Sequence, residues 1–177
     1  MLEEKINLQK YAMRYGTWMG GLWTFLFILY VMGLSMPSLI LLLAPIALCV
    51  PIISYQMICH FRRKYAGGIL SFSQAWVFLT FLWMFAALFV SVPIYIYFNF
   101  LDNGMVVNTL AQMVAEIKTQ NVSEYAQMAQ YLEESLPLLR NLTPIDIVIN
   151  QLSQNIIVGA ILALPIAAII GRKKRLK

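Results

Sequence analysis

Asp146, Asn150 and Gln154 recur every fourth residue near the C-terminus, with Gln151 and Asn155 beside that row. On a helix, positions i, i+4 and i+8 stand along one face. A carboxylate followed by a ladder of amides has two uses there. It can line a wet polar cleft or hold a polar headgroup, because polar groups inside a span turn away from lipid. It can also mark a helix that begins above the hydrocarbon, its polar turns joining neighbouring extramembrane helices. The remaining reactive side chains are scattered. His60 is the one histidine and stands beside Phe61-Arg62-Arg63, an interfacial setting. Cys49 and Cys59 lie ten residues apart in one predicted span, without the clustered spacing of a metal site. No H-E-x-x-H, G-x-S-x-G or P-loop pattern occurs. Paired carboxylates appear only at Glu3-Glu4 and Glu133-Glu134, where solvated or capping roles are the default. The expectation is a chain with no catalytic set, no metal and no cofactor, and therefore not an enzyme.

The elements that carry these residues follow from where charge is missing. The chain has 177 residues, of which 60% are apolar and 12% charged, and its mean hydropathy is +0.72. Soluble domains run near 45–50% apolar and about 25% charged. An ordinary globule and a disordered chain are both excluded. No formal charge occurs between Arg14 and Arg62, between Lys64 and Asp102, or between Asp146 and Arg172. A transmembrane helix needs about 20 apolar residues, so the first interval must hold two spans. It breaks at Ser35-Met36-Pro37. The spans predicted are 15–34, 38–59, 72–98 and 145–170. Ser71-Phe72-Ser73-Gln74 has the form of a capping box opening the third. Thr143, Pro144 and Asp146 suit the cap, first turn and positive end of the fourth. The apolar core of the first span is too long for a cleaved signal peptide.

Eleven of the 13 basic residues fall in three clusters: Lys5 to Arg14, Arg62 to Lys64, and Arg172 to Lys177. With four spans all three lie on one side. The positive-inside rule makes that side cytoplasmic, with both termini inside. Three short clusters at membrane edges also argue against nucleic-acid binding, despite the net charge of +5. Trp18 and Trp76 are expected at the inner interface, and Tyr30, Tyr95 and Tyr97 at the outer one.

Residues 101–143 are left outside, periplasmic in a bacterium, with a net charge of −3. Val106, Leu110, Met113, Val114 and Ile117 recur at helical spacing, as do Tyr125, Met128, Tyr131 and Leu132. Asn121-Val-Ser-Glu124 has capping-box spacing between the two stretches. Two short amphipathic helices are predicted. The fold expected is all-α: one polytopic domain over residues 1–177, four transmembrane helices, and a small helical extramembrane insertion between spans three and four. Gly159, Ala163, Ala167 and Gly171 form a small-residue row in span four, as do Gly16 and Gly20 in span one. Such rows let backbones approach, either within one protomer or across a homodimer.

The stretch Phe61-Arg-Arg-Lys-Tyr-Ala-Gly67-Gly68-Ile-Leu-Ser71-Phe72-Ser-Gln74-Ala75, with Tyr97-Phe98-Asn99-Phe100-Leu-Asp102, resembles the bacterial membrane family called domain of unknown function 4199. The order of spans, basic segment, helical insertion and basic tail is similar over nearly the whole chain. The resemblance implies a plasma-membrane protein, chiefly of Bacteroidetes. Members are often encoded beside a family-two glycosyltransferase resembling polyprenyl-phosphate sugar transferases, which implies a partner and no activity of their own. The functional expectation is a non-catalytic inner-membrane module. Its cytoplasmic basic face, Arg62, Arg63, Lys64, Arg172, Lys173 and Lys174, would dock such an enzyme, another peripheral or membrane protein, or anionic lipid. The alternative is a small lipid or solute translocator using the polar row of span four.

Overall fold

The three charge-free intervals fold into long helices because a backbone in hydrocarbon must satisfy its own hydrogen bonds. A computed structural model describes the backbone of residues 8–119 and 123–172, and the side chains among them except at positions 37, 123–128 and 172. Its elements are α1 (Leu8–Ser35), α2 (Pro37–Lys64), α3 (Phe72–Phe100), α4 (Met105–Thr119), α5 (Ser123–Arg140) and α6 (Pro144–Arg172). Helices α1, α2, α3 and α6 have the length and apolarity of membrane spans. The chain is an all-α, multi-pass membrane protein with a helical insertion, α4 and α5, between its third and fourth spans.

Two helix ends differ from the sequence expectation. Helix α1 begins at Leu8, so Lys10 and Arg14 lie inside it. Helix α2 runs to Lys64, so Arg62, Arg63 and Lys64 form its last turn and not a loop. The reason is that charge ends the hydrocarbon, not the helix. Long basic side chains reach back to water, and cations complement the negative C-terminal end of a helix. Each span helix has 28 or 29 residues. That is about 42 Å against about 30 Å of hydrocarbon, so each tilts or projects.

The connections are short and chemically specified. Met36 alone joins α1 to α2, and Pro37 opens α2, where its missing N–H costs nothing. Between α2 and α3, Gly67 and Gly68 take φ of +59° and +80°, a left-handed turn that a side chain would strain. The Ser71 capping box then forms as expected. The Gln74 N–H donates to Ser71 Oγ at 3.2 Å, and the Ser71 N–H donates to Gln74 Oε1 at 3.0 Å. Removing both side chains, Ser71→Ala with Gln74→Ala, is expected to cost about 1–2 kcal/mol. A lowered unfolding midpoint in detergent would register it.

The chain divides into two compact units, Met1–Val92 with Asn150–Lys177, and Pro93–Ile149. In the first, α3 supplies the centre of the core: Ala75, Phe78, Leu79, Leu82 and Ala86 are fully buried. Phe78 stacks on Phe61 with ring centres 4.5 Å apart, and Trp83 meets Trp23 edge-on at 5.1 Å. The small-residue rows bring helices to α3 within the same chain. A Cβ on Gly16 would lie 2.7 Å from Phe85, one on Gly20 2.5 Å from Phe89, and one on Gly159 2.6 Å from Trp83. Ala163 and Ala167 are wholly buried behind them.

The second unit contains the end of α3, the helices α4 and α5, and the first turns of α6. Along α4, Val114 is buried, Val106, Leu110 and Ile117 are half-buried, and Met113 is exposed. Lys118 of α4 pairs with Glu133 of α5. On α5 the buried position is Ala129, and Leu132 is half-buried. Tyr131, expected on the apolar stripe, is 73% exposed. The capping spacing proposed at Asn121 falls on residues 120–122, outside the described residues, and the side chains of Tyr125 and Met128 also lie outside them. Tyr97 departs from the expected aromatic belt: it is buried, against Phe98 at 5.2 Å, while Tyr95 is exposed. In the first unit, Trp18 and Tyr30 are exposed, and the Trp76 indole N–H donates to the Ala160 carbonyl at 3.1 Å.

Candidate functional site

The cations of α2 divide into one that holds the fold and two that face outward. Arg62 is buried. Its Nε donates to the Gly68 carbonyl at 2.8 Å, and its Nη1 reaches the Ile170 carbonyl at 3.4 Å. Ile170 lies near the described end of α6. One guanidinium therefore ties the glycine turn to the end of α6. Arg62, expected on the docking face, has its Nε and Nη1 bonded within the fold, because α2 continues through residue 62 and aims it at those carbonyls. Arg63 and Lys64, one and two residues on, fall on the outer face and are exposed. The Lys64 ammonium lies 5.5 Å from the centre of the Tyr65 ring. Arg14 is exposed as well, and His60 lies edge-on to Tyr15 at 6.3 Å. Of the remaining predicted cations, Arg172 is the last described residue of α6; its side chain and Lys173 and Lys174 lie outside the described residues.

The polar row of α6 is consumed by local bonds. Asp146 completes a second capping box: the Thr143 N–H donates to Asp146 Oδ2 at 3.0 Å, the Thr143 hydroxyl donates to the same oxygen, and the Asp146 N–H reaches Thr143 Oγ1 at 3.4 Å. Further along the helix, Gln154 Nε2 donates to Asn150 Oδ1 at 3.2 Å, and both side chains are exposed. Gln151 and Asn155 are half-buried. Amides four apart on one helix bond each other readily.

The second unit holds a cavity of about 360 Å³ that none of those residues lines. Its apolar walls include Phe98, Val107, Leu139 and Ile147, and its polar groups are Asp102, Asn108 and Arg140. Asp102 is 7% exposed. Its Oδ2 accepts the Gly104 N–H and its Oδ1 the Val106 N–H, both at 3.0 Å, so it fastens the turn that opens α4. Arg140 ends α5 and is exposed. Sequence reasoning missed these residues. The available signal was Asp102-Asn103-Gly104, a turn-forming triplet directly after an apolar span, with Gly104 at φ +81°. Nothing in sequence links that triplet to Arg140. Among the described residues, no group of three or more His, Cys, Asp or Glu is placed to hold a metal ion.

No curated protein and no solved structure matches this chain. One family model does, over residues 14–172. That match takes in all four spans, the basic end of α2, the glycine turn with its capping box, and the cavity of the second unit. The chain belongs to the family described as Protein of unknown function (DUF4199).

Proposed function

We propose that this protein is a non-catalytic module of the bacterial plasma membrane, which holds anionic lipid or an acidic partner at its basic end. The observation that carries this reading is the division of labour on α2: Arg62 is bound into the fold, while Arg63 and Lys64 are exposed and form no ion pair among the described residues. Exposed Arg14 and Trp18 add a cation and an interfacial aromatic to the same unit. Cations that the fold does not use are available to lipid phosphates or to carboxylates of a second protein. The positive-inside rule sets this end in the cytoplasm, with both termini there and the α4–α5 insertion on the far side. The family resemblance makes a peripheral polyprenyl-phosphate glycosyltransferase the partner to test first.

A basic residue at an anionic surface contributes about 1 kcal/mol. Arg63→Gln with Lys64→Gln is therefore expected to weaken retention of phosphatidylglycerol roughly 30-fold in native mass spectrometry. The folded fraction should stay unchanged, because neither side chain is buried. Unchanged retention of both lipid and any detergent-stable partner would overturn the reading. Translocation through the α6 amide row has less support, since Asn150 and Gln154 bond each other on an exposed face.

A further inference from the structure

We propose that the cavity of the second unit binds the zwitterionic phosphoethanolamine headgroup of a phospholipid, with phosphate toward Arg140 and ammonium toward Asp102. This site is separate from the basic residues of α2 and does not rest on their role. The volume, about 360 Å³, lies within the range of roughly 300–1,000 Å³ typical of ligand pockets. One acid and one base line it, and no ion pair joins them among the described residues. A fold that sets opposite charges in one cavity without pairing them leaves each to be met by something else.

Asp102 remains able to accept. Each carboxylate oxygen has two lone pairs, and each takes one backbone N–H. Arg140 forms no hydrogen bond or ion pair among the described residues, and its planar fork suits a phosphate. A purely anionic headgroup would meet the buried carboxylate, and a purely cationic ligand would meet the guanidinium. A zwitterion satisfies both. The apolar walls complete the match. Phe98 lies in the last turns of α3 and Ile147 in the first of α6, where spans longer than the hydrocarbon reach the headgroup level. Glycerol and the first acyl carbons can lie against them.

The test uses the full chain in mild detergent, with native mass spectrometry after addition of phosphatidylethanolamine, phosphatidylglycerol or soluble phosphorylethanolamine. The Arg63→Gln/Lys64→Gln chain, freed of the basic end's lipid retention, should retain phosphatidylethanolamine in preference to phosphatidylglycerol. Arg140→Gln, at an exposed position, should reduce that retention about tenfold, the loss of one charge-assisted contact. Val107→Trp should abolish it by filling the cavity while leaving both charges in place. Asp102→Asn should remove the preference between the two lipids; as it also weakens the α4 turn, the other two variants carry the conclusion if it fails to fold. Equal retention of phosphatidylethanolamine with and without Arg140→Gln, or no preference in the Arg63→Gln/Lys64→Gln chain, would overturn the proposal. Soluble phosphorylethanolamine binding as tightly as the lipid would overturn the lipid assignment in favour of a free solute.

Discussion

Arg62→Ala is expected to destabilise the protein by about 3–4 kcal/mol. The substitution leaves the Gly68 and Ile170 carbonyls without their donor. A buried acceptor stripped of its partner costs about 1–3 kcal/mol, and the longer of the two bonds, 3.4 Å, belongs at the lower end. Lost packing of the buried side-chain stem adds to that. Arg62→Lys should recover little, because a single ammonium cannot reach two divergent carbonyls as a planar fork does. Arg63→Ala, one residue away and exposed, should stay within about 0.5 kcal/mol of wild type. Denaturant titration of the three variants in micelles provides the comparison. Equal midpoints for Arg62→Ala and Arg63→Ala would show that the guanidinium does not fasten α6 to the glycine turn.

The second large effect separates two adjacent glycines. A Cβ at Gly20 would stand 2.5 Å from Phe89 Cβ and 2.9 Å from its Cγ, whereas a Cβ at Gly21 meets nothing within 4 Å. Gly20→Ala therefore forces α1 away from α3. Overpacking of this kind costs about 1–3 kcal/mol and at times more, and the atoms met are the root of the ring, which cannot swing aside. Gly21→Ala lies on the exposed face of the same helix. It should be neutral or stabilising by up to about 1 kcal/mol, the helix-propensity difference between glycine and alanine. Gly159→Ala, which would press on Trp83 at 2.6 Å, should resemble Gly20→Ala. Phe89 and Trp83 are about 9 Å apart along α3, so the two losses should nearly add. If Gly20→Ala and Gly21→Ala shifted the unfolding midpoint equally, the close approach of α1 to α3 would be wrong. If the Gly20→Ala chain failed to fold while Gly21→Ala folded, the same conclusion would stand in stronger form.

These two results bear on how the small-residue rows are used. Glycine at every fourth position reads equally as a seam between protomers or within one. The contacts of Gly16, Gly20 and Gly159 are with Phe85, Phe89 and Trp83 of the same chain. Large side chains on α3 fill the space that small ones on α1 and α6 leave. The sequence holds both halves of that match but not their pairing, because no local rule says which helix faces which.

What the sequence determined by itself is what depends on local chemistry and on the solvent. Charge-free runs must be helices in hydrocarbon, so the four spans and their order were legible. So were the capping box of Ser71 with Gln74 and the cap at Thr143, because a cap needs only three residues of separation; that Asp146 bonds back to Thr143 came from the structure. Tertiary structure alone decided how the polar groups were spent. Arg62, Arg63 and Lys64 are one cluster in sequence, yet the 100° step between neighbours on a helix sends Arg62 inward to carbonyls distant in the chain and its neighbours outward. Asp146, Asn150 and Gln154 share one helical spacing, yet Asp146 bonds back to Thr143 while Asn150 and Gln154 bond each other. Asp102 and Arg140 share a cavity only because α4 and α5 bring the two ends of the insertion together, and no periodicity records that juxtaposition.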